Sequence, residues 1–273
     1  MGCNCSIFKR YSSIEDVQLE LRHKGIDDII LTLGIDYTKS NRFNGRVSNN
    51  GKNLHDIQEN KLNPYQEALS LVTSTLESMI PYNSIYMLGF SDAYSQDRTV
   101  FPLSYRNNKN LNILENISLN MSEQVLETYK KITPKIILCS PSTFTPLIDS
   151  AINIYKIKKK EQILVIFTDS DLINYQKEVN KISETMLYPI SIICIGIGDS
   201  QFTVLENLNK TISNFYFVDF YKIRQIENEG KRAYKMFEEL PKIFNIQKKY
   251  FNKDIIYTDI NPDIIKPIHQ YFM

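Results

Sequence analysis

The chain has 273 residues, 42% of them hydrophobic and 23% charged, with 32 Lys and Arg against 31 Asp and Glu for a formal net charge of +1. Such a chain can bury a sizeable core as one large α/β domain or two small ones. Its near-neutral charge, with no basic cluster interleaved with aromatics, offers no platform for nucleic acid, and no apolar run reaches the roughly 18 residues of a membrane-spanning helix.

Residues 1–10 read as a flexible start carrying a lipid-attachment pattern. Met1-Gly2-Cys3-Asn4-Cys5-Ser6 fits M-G-x-x-x-S, the acceptor for myristoylation of Gly2, with Cys3 and Cys5 beside it as palmitoylation sites. One myristoyl chain binds membrane only marginally, so a second acyl chain or the nearby Lys9 and Arg10 would make attachment stable. That reading places the chain at the cytoplasmic face of the plasma membrane or endomembranes, tethered to the inner leaflet, with a cytosolic pool. The alternative is a disordered start with two incidental cysteines. Cys139 and Cys194 lie in apolar, strand-like surroundings and read as core residues of a reduced protein. No Cys/His spacing suggests zinc.

Ser12-Ser13-Ile14-Glu15-Asp16 opens a predicted helix that ends before Gly25. The apolar run that follows is rich in β-branched residues and stops at Gly34-Ile35-Asp36-Tyr37-Thr38-Lys39-Ser40-Asn41. A buried strand here delivers the oxygens of Asp36, Thr38 and Ser40 to its C-terminal end, where ligands gather in an open parallel sheet. Such hard donors suit Mg²⁺; a helix cap and turn would use the same residue types. A long polar loop to Leu62 leads to a helix from Pro64 to Met79. Ser84 to Phe90 is a second buried strand, and Thr99 to Leu103 a short edge strand. A helix is expected from about Asn110 to Tyr129.

Ser140-Pro141-Ser142-Thr143 leads a helix to Lys156; Ser142 and Thr143 can cap it or present hydroxyls to a metal. Ile163 to Phe167 is a third buried strand, ending in Thr168-Asp169-Ser170-Asp171, so two strands end in aspartate at the same edge. Asp171 or Asn174 leads a helix to Leu187. A strand from Ile190 to Ile197 exits through Gly196-Ile197-Gly198-Asp199, which lacks the third glycine of a dinucleotide site. A short helix near 202–209, a strand from Asn214 to Phe220 and an amphipathic helix from Ile223 to Leu240 complete the pattern. Residues 249–273 read as an irregular tail. The alternation predicts a doubly wound, Rossmann-like α/β fold over 11–248, with a mostly parallel sheet and helices on both faces.

The ordered segments G-I-D-Y-T-K-S-N (34–41), N-L-H-D-I (53–57), N-P-Y-Q-E-A (63–68), G-F-S-D-A (89–93), S-P-S-T-F-T-P (140–146), Y-P-I-S-I (188–192) and N-F-Y-F-V-D-F (214–220) resemble a von Willebrand factor A domain of the copine type. The resemblance implies a metal-ion-dependent adhesion site. Asp36, Thr38 and Ser40 match its first part and Asp169 its last. Ser142 stands where relatives carry threonine, with Thr143 as a substitute; Ser170 replaces the usual glycine, and Asp171 adds a carboxylate. The implied ion is Mg²⁺, or Mn²⁺ or Ca²⁺, and the implied partner a protein offering an acidic side chain. Copines carry two C2 domains ahead of this module, and plant relatives that ligate ubiquitin carry a RING domain behind it; neither is expected here. A non-enzymatic, membrane-tethered interaction module is therefore the leading expectation. The alternatives are an adaptor in ubiquitin ligation without its own RING and a phosphohydrolase built on Asp169-Ser170-Asp171.

Overall fold

The computed structural model describes residues 11–103, 122–172 and 174–251. Local chemistry starts the first helix, α1 (Ile14–His23). The Ser13 hydroxyl accepts from the Asp16 N–H while the Asp16 carboxylate accepts from the Ser13 N–H, closing a capping box. α2 (Pro64–Leu76) repeats the device with Asn63 and Gln66. A 3₁₀ turn then finishes the segment at Met79.

The sheet has six strands, β1 (Ile30–Asp36), β2 (Ile85–Phe90), β3 (Val100–Pro102), β4 (Gln162–Thr168), β5 (Ile190–Gly196) and β6 (Phe215–Asp219), in the order β3-β2-β1-β4-β5-β6. All neighbours are parallel except β3, an antiparallel edge. Every residue of β1, β2, β4 and β5 is buried, which is why these strands read as continuous apolar runs with no polar face.

Alternate side chains feed two cores. Leu31, Leu33 and Ile35 of β1 join Val165 and Phe167 of β4 beneath α1 and α2. Leu164 and Ile166 face the opposite layer, with Leu147, Ile148 and Ala151 of α4 (Thr145–Lys158). Gly34 permits this second layer to approach, since a Cβ there would lie 2.2 Å from Leu147 Cδ2. α3 (Ser122–Ile132), α5 (Tyr175–Glu184), α6 (Thr203–Thr211), α7 (Phe220–Ile223), α8 (Glu229–Phe237) and α9 (Leu240–Phe251) complete the described helices.

The chain turns from β1 to β2 on one side and reaches β4 on the other, so β1 and β4 are neighbours at the point where the strand order reverses. Crevices form at the C-terminal ends of strands at such a point. Pairing of Ile35 with Phe167 brings Asp36 beside Thr168 and Asp169 across 133 residues of sequence.

Several expectations change. Neither Ser142 nor Thr143 holds the N-cap position of α4, although the Thr143 hydroxyl accepts from the Thr145 N–H at 3.4 Å. That position is Phe144 and has no side-chain cap bond, because Glu178 of α5 reaches across to accept from the Phe144 N–H and from the Thr143 and Thr145 hydroxyls. Asn174 holds the N-cap position of α5 without a side-chain bond, and a 3₁₀ turn at Thr185–Leu187 follows the helix. The single helix expected from Ile223 to Leu240 is broken: Asn228 caps a new start, and Gly230 lets the backbone at Ser12 and Ser13 pack against α8. α9 extends to Phe251, into the stretch expected to be irregular. Cys194 is buried as expected, but Cys139 is half-exposed. Of the helix expected from Asn110, only the part from Ser122 is described. Gly2, Cys3, Cys5 and residues 252–273 lie outside the described residues.

Candidate metal centre

β1 ends in Asp36 with its side chain fully buried. One carboxylate oxygen accepts from the Thr38 N–H at 2.9 Å. The other accepts from the hydroxyls of Thr168 at 2.7 Å and Ser142 at 3.0 Å. Asp169, one residue past β4, is equally buried. Its Oδ1 accepts from Thr38 Oγ1 at 3.0 Å, Ser40 Oγ at 2.9 Å and the Asn41 amide at 3.1 Å, and its Oδ2 from the Asn44 amide at 2.9 Å. Asp36, Thr38, Ser40, Ser142 and Asp169 thus meet in one cluster drawn from three connections.

The other two candidates lie elsewhere. Thr143 gives its hydroxyl to Glu178. The carboxylate of Asp171 accepts from the Val204 and Leu205 N–H groups at 2.9 and 3.1 Å, holding the first turn of α6, as an acid at a helix N-terminus does. Asp171 therefore adds no carboxylate to the cluster. The glycine exit of β5 is also structural. Gly198 has φ +98° with its backbone against the Asn44 carbonyl, and Asp199 accepts from the Val47 and Ser48 N–H groups.

Two buried carboxylates without a cation cannot both ionise cheaply. Burial raises Asp36 above the usual carboxylate range against the pull of its hydrogen bonds. Burial, then the field of Asp36, raises Asp169 to about 7. No ion pair reaches either one among the described residues. No group of three His, Cys, Asp or Glu side chains among the described residues could hold a metal; the oxygens that meet here belong to two carboxylates and to the hydroxyls of Thr38, Ser40, Ser142 and Thr168. The donor set fits a hard cation: it is all oxygen, it carries up to two negative charges, and Thr38 and Ser40 direct their hydrogens to Asp169 while keeping lone pairs.

Beneath the cluster is a support that sequence reasoning did not assign. His55 is stacked between Tyr37 and Tyr65, with ring centroids at 4.7 and 4.1 Å. Its Nε2 lies 2.9 Å from the Asp36 carbonyl and its Nδ1 2.7 Å from the Tyr129 hydroxyl. A carbonyl only accepts, so Nε2 carries the proton and Nδ1 accepts from Tyr129. Burial lowers the His55 pKa to about 3, keeping the ring neutral. Tyr65 donates to Asn41 Oδ1 at 2.8 Å, which orients the Asn41 amide hydrogens toward Asp169. Thr168 adjoins a recognised aspartate and Asn41 closes a recognised motif, but nothing local marks His55, Tyr65 or Asn44 as partners of a site.

The copine family model matches residues 53–254. Copine family protein 2 of Caenorhabditis elegans is 35% identical over 218 residues, covering 78% of this chain and 3% of that protein. The E3 ubiquitin-protein ligase RGLG3 of Arabidopsis thaliana is 34% identical over 235 residues, covering 80% of this chain and 61% of that one. The chain thus spans less than two thirds of the length of either relative. Among solved structures, the manganese-loaded TRAP protein of Plasmodium vivax aligns with a TM-score of 0.48 at 14% identity, over 72% of this chain and 70% of that one. With the family model laid over nearly three quarters of its length and two relatives matching about four fifths of it, the chain belongs to the copine family.

Proposed function

We propose that the chain is an interaction module that holds Mg²⁺ at Thr38, Ser40 and Ser142, with Asp36 and Asp169 supplying charge and orientation, and that an acidic group of a protein partner completes the coordination. One observation carries this reading: two buried carboxylates with no ion-pair partner among the described residues converge with the hydroxyls of Thr38, Ser40 and Ser142 in one all-oxygen cluster. The 2.9 Å between the Thr38 and Ser40 oxygens is a hydrogen-bond distance and equals the spacing of neighbouring ligands on an octahedral ion with bonds of about 2.0–2.1 Å, so these hydroxyls need not move apart to hold Mg²⁺. A bound ion supplies Lewis acidity and positive charge; the chain's own contribution is to fix the oxygens and exclude water from the carboxylates. Asp169 Oδ1 already accepts three hydrogen bonds, which suits an orienting carboxylate better than the nucleophile of a phosphohydrolase.

Titration calorimetry with Mg²⁺ and Mn²⁺ tests the site. A saturable heat that Asp36→Asn abolishes is expected, with the substituted protein retaining its fold by circular dichroism. Absence of such heat in the unsubstituted chain defeats the proposal.

The tether is a separate part of the reading and rests on the sequence around Gly2, Cys3 and Cys5. In cells, Gly2→Ala should move the chain from the membrane fraction to the soluble one, and an unchanged distribution would remove the myristoyl anchor from the reading. Service as an adaptor in ubiquitin ligation is suggested only by similarity to ubiquitin ligases such as RGLG3.

A further inference from the structure

The connection after β1 does more than supply Thr38 and Ser40. Lys39 to Arg42 form one 3₁₀ turn, in which side chains three apart share a face, so Lys39 and Arg42 stand together. Both are exposed, as is Arg46, and none of the three has an ion-pair partner among the described residues. Between and beyond them Phe43 is 59% exposed and Val47 67%. Ile137, 53% exposed, belongs to the neighbouring connection, whose Cys139 carbonyl accepts from the Lys39 N–H at 2.6 Å. Three cations and three large apolar side chains therefore occupy the same sheet edge as the buried carboxylate pair.

This display is held in place. Asn44 ties the loop to Asp169, Asp199 accepts from Val47 and Ser48, and Arg224 donates to the Ser48 carbonyl. Gly45 packs so closely that a Cβ would lie 2.2 Å from the Lys52 carbonyl oxygen. A pre-ordered loop loses little entropy when it binds. Exposed apolar side chains beside charged ones mark a recognition surface; the carboxylate of Asp199 against this loop is already engaged by the Val47 and Ser48 N–H groups, and the sign of Lys39, Arg42 and Arg46 selects an anionic partner.

We infer that this loop is the specificity surface for a protein segment in which a central carboxylate is flanked by further acidic residues and an aromatic or aliphatic side chain. The central carboxylate goes to the metal centre, the flanking acids to Arg42 and Arg46 with Lys39, and the apolar side chain to Phe43 and Val47. The inference rests on the metal-centre reading for the position of the central group, but the loop's preference for flanking residues can be measured apart from it.

The probes are three fluorescein-labelled peptides sharing a central Asp, flanked by Glu and Phe, by Gln and Ala, or by Lys and Ala. Fluorescence anisotropy is read with the full chain in Mg²⁺. The Glu/Phe peptide should bind about tenfold or more tightly than the Gln/Ala peptide. The double substitution R42E/R46E should reverse the order in favour of the Lys-flanked peptide, and F43S/V47S should narrow the advantage of the Glu/Phe peptide without reversing the order. Reversal by charge inversion is a result that simple unfolding does not produce, and unchanged melting temperatures of these surface variants would confirm it. Equal affinity for all three peptides, no binding of any, or a preference untouched by R42E/R46E overturns the inference. So does discrimination among phosphatidylserine-containing and phosphatidylcholine vesicles through these residues when the peptides are not distinguished, since the loop would then serve a lipid surface. If the preference persists in EDTA and in Asp36→Asn, the metal reading fails while the specificity surface stands.

Discussion

Mg²⁺ should raise the melting temperature of the chain strongly at pH 8 and weakly at pH 6, because the ion and the proton compete for the same buried carboxylates. Asp169, raised to about 7 by burial and by the field of Asp36, is mostly protonated at pH 6 and mostly ionised at pH 8. Each pH unit below that value then lowers apparent metal affinity about tenfold per proton displaced. At a free Mg²⁺ concentration about a hundred times the dissociation constant, the ion stabilises by about 2.7 kcal/mol, which moves the melting temperature of a domain this size by several degrees. Without metal the sign is opposite. A carboxylate with a raised folded-state pKa binds more protons in the folded chain, so its contribution falls as pH rises from the ordinary carboxylate range toward 7. Asp36→Asn removes one of the two facing charges. It should melt higher than the unsubstituted metal-free chain at pH 8 and should gain nothing from Mg²⁺. A Mg²⁺ shift that is equal at both pH values, or that survives Asp36→Asn, would show that the ion binds elsewhere. Scanning calorimetry at the two pH values, with Mg²⁺ and with EDTA, decides the question.

Replacing His55 with Leu should cost about 2–5 kcal/mol and abolish Mg²⁺ binding, although His55 offers the metal no ligand. The imidazole donates to the Asp36 carbonyl, which without it keeps the longer contacts from the Asn41 amide at 3.2 Å and the Tyr65 hydroxyl at 3.5 Å, and it accepts from the buried Tyr129 hydroxyl. A buried donor left without its acceptor costs about 1–3 kcal/mol, and the stacked ring leaves a cavity as well. The Asp36 carbonyl is also the backbone from which the carboxylate of the proposed metal site projects, so losing the His55 contact loosens the site as well as the fold. His55→Asn, which can still offer an N–H to that carbonyl, should recover part of both losses. The pH dependence supplies an independent check. The His55 pKa is lowered to about 3, so between that value and the usual range near 6.5 the unfolded chain binds the extra proton, and this contribution to stability grows with rising pH. It opposes the contribution of Asp169 over the same interval. Removing His55 should therefore make the metal-free chain lose stability more steeply with rising pH between about 4 and 7, as chemical denaturation across that range would show. An unchanged slope would mean that His55 is not the neutral, buried donor described above.

Much of this architecture is written locally. The apolar runs of β1, β2, β4 and β5 are legible because both faces of a central parallel strand are buried, and the starts of α1 and α2 are legible because Ser13 with Asp16 and Asn63 with Gln66 lie within one turn of each other. The strand-end residues Asp36, Thr38, Ser40 and Asp169 are visible for the same reason: an abrupt change from apolar to oxygen-bearing side chains needs no knowledge of the rest of the chain. What the residues alone leave open at Ser142, Thr143 and Asp171 is a choice between capping a helix and joining a site, since both tasks use the same oxygen chemistry.

Tertiary structure makes that choice by distance. Glu178 holds the start of α4 from a neighbouring helix, which leaves Ser142 to reach Asp36 and takes Thr143 away. Asp171 is claimed by two N–H groups more than thirty residues later. The support of His55 beneath Asp36, the orientation of Asn41 by Tyr65 and the closure of Asn44 on Asp169 depend on side chains that only the folded sheet edge brings within hydrogen-bond range. Sequence by itself determines the strands, the order in which they deliver their oxygens and the kind of ion those oxygens suit. Which oxygens share one buried charge, and which loop surrounds it with exposed cations, is decided by packing, because hydrogen bonds and electrostatic fields act across space and carry no trace in local periodicity.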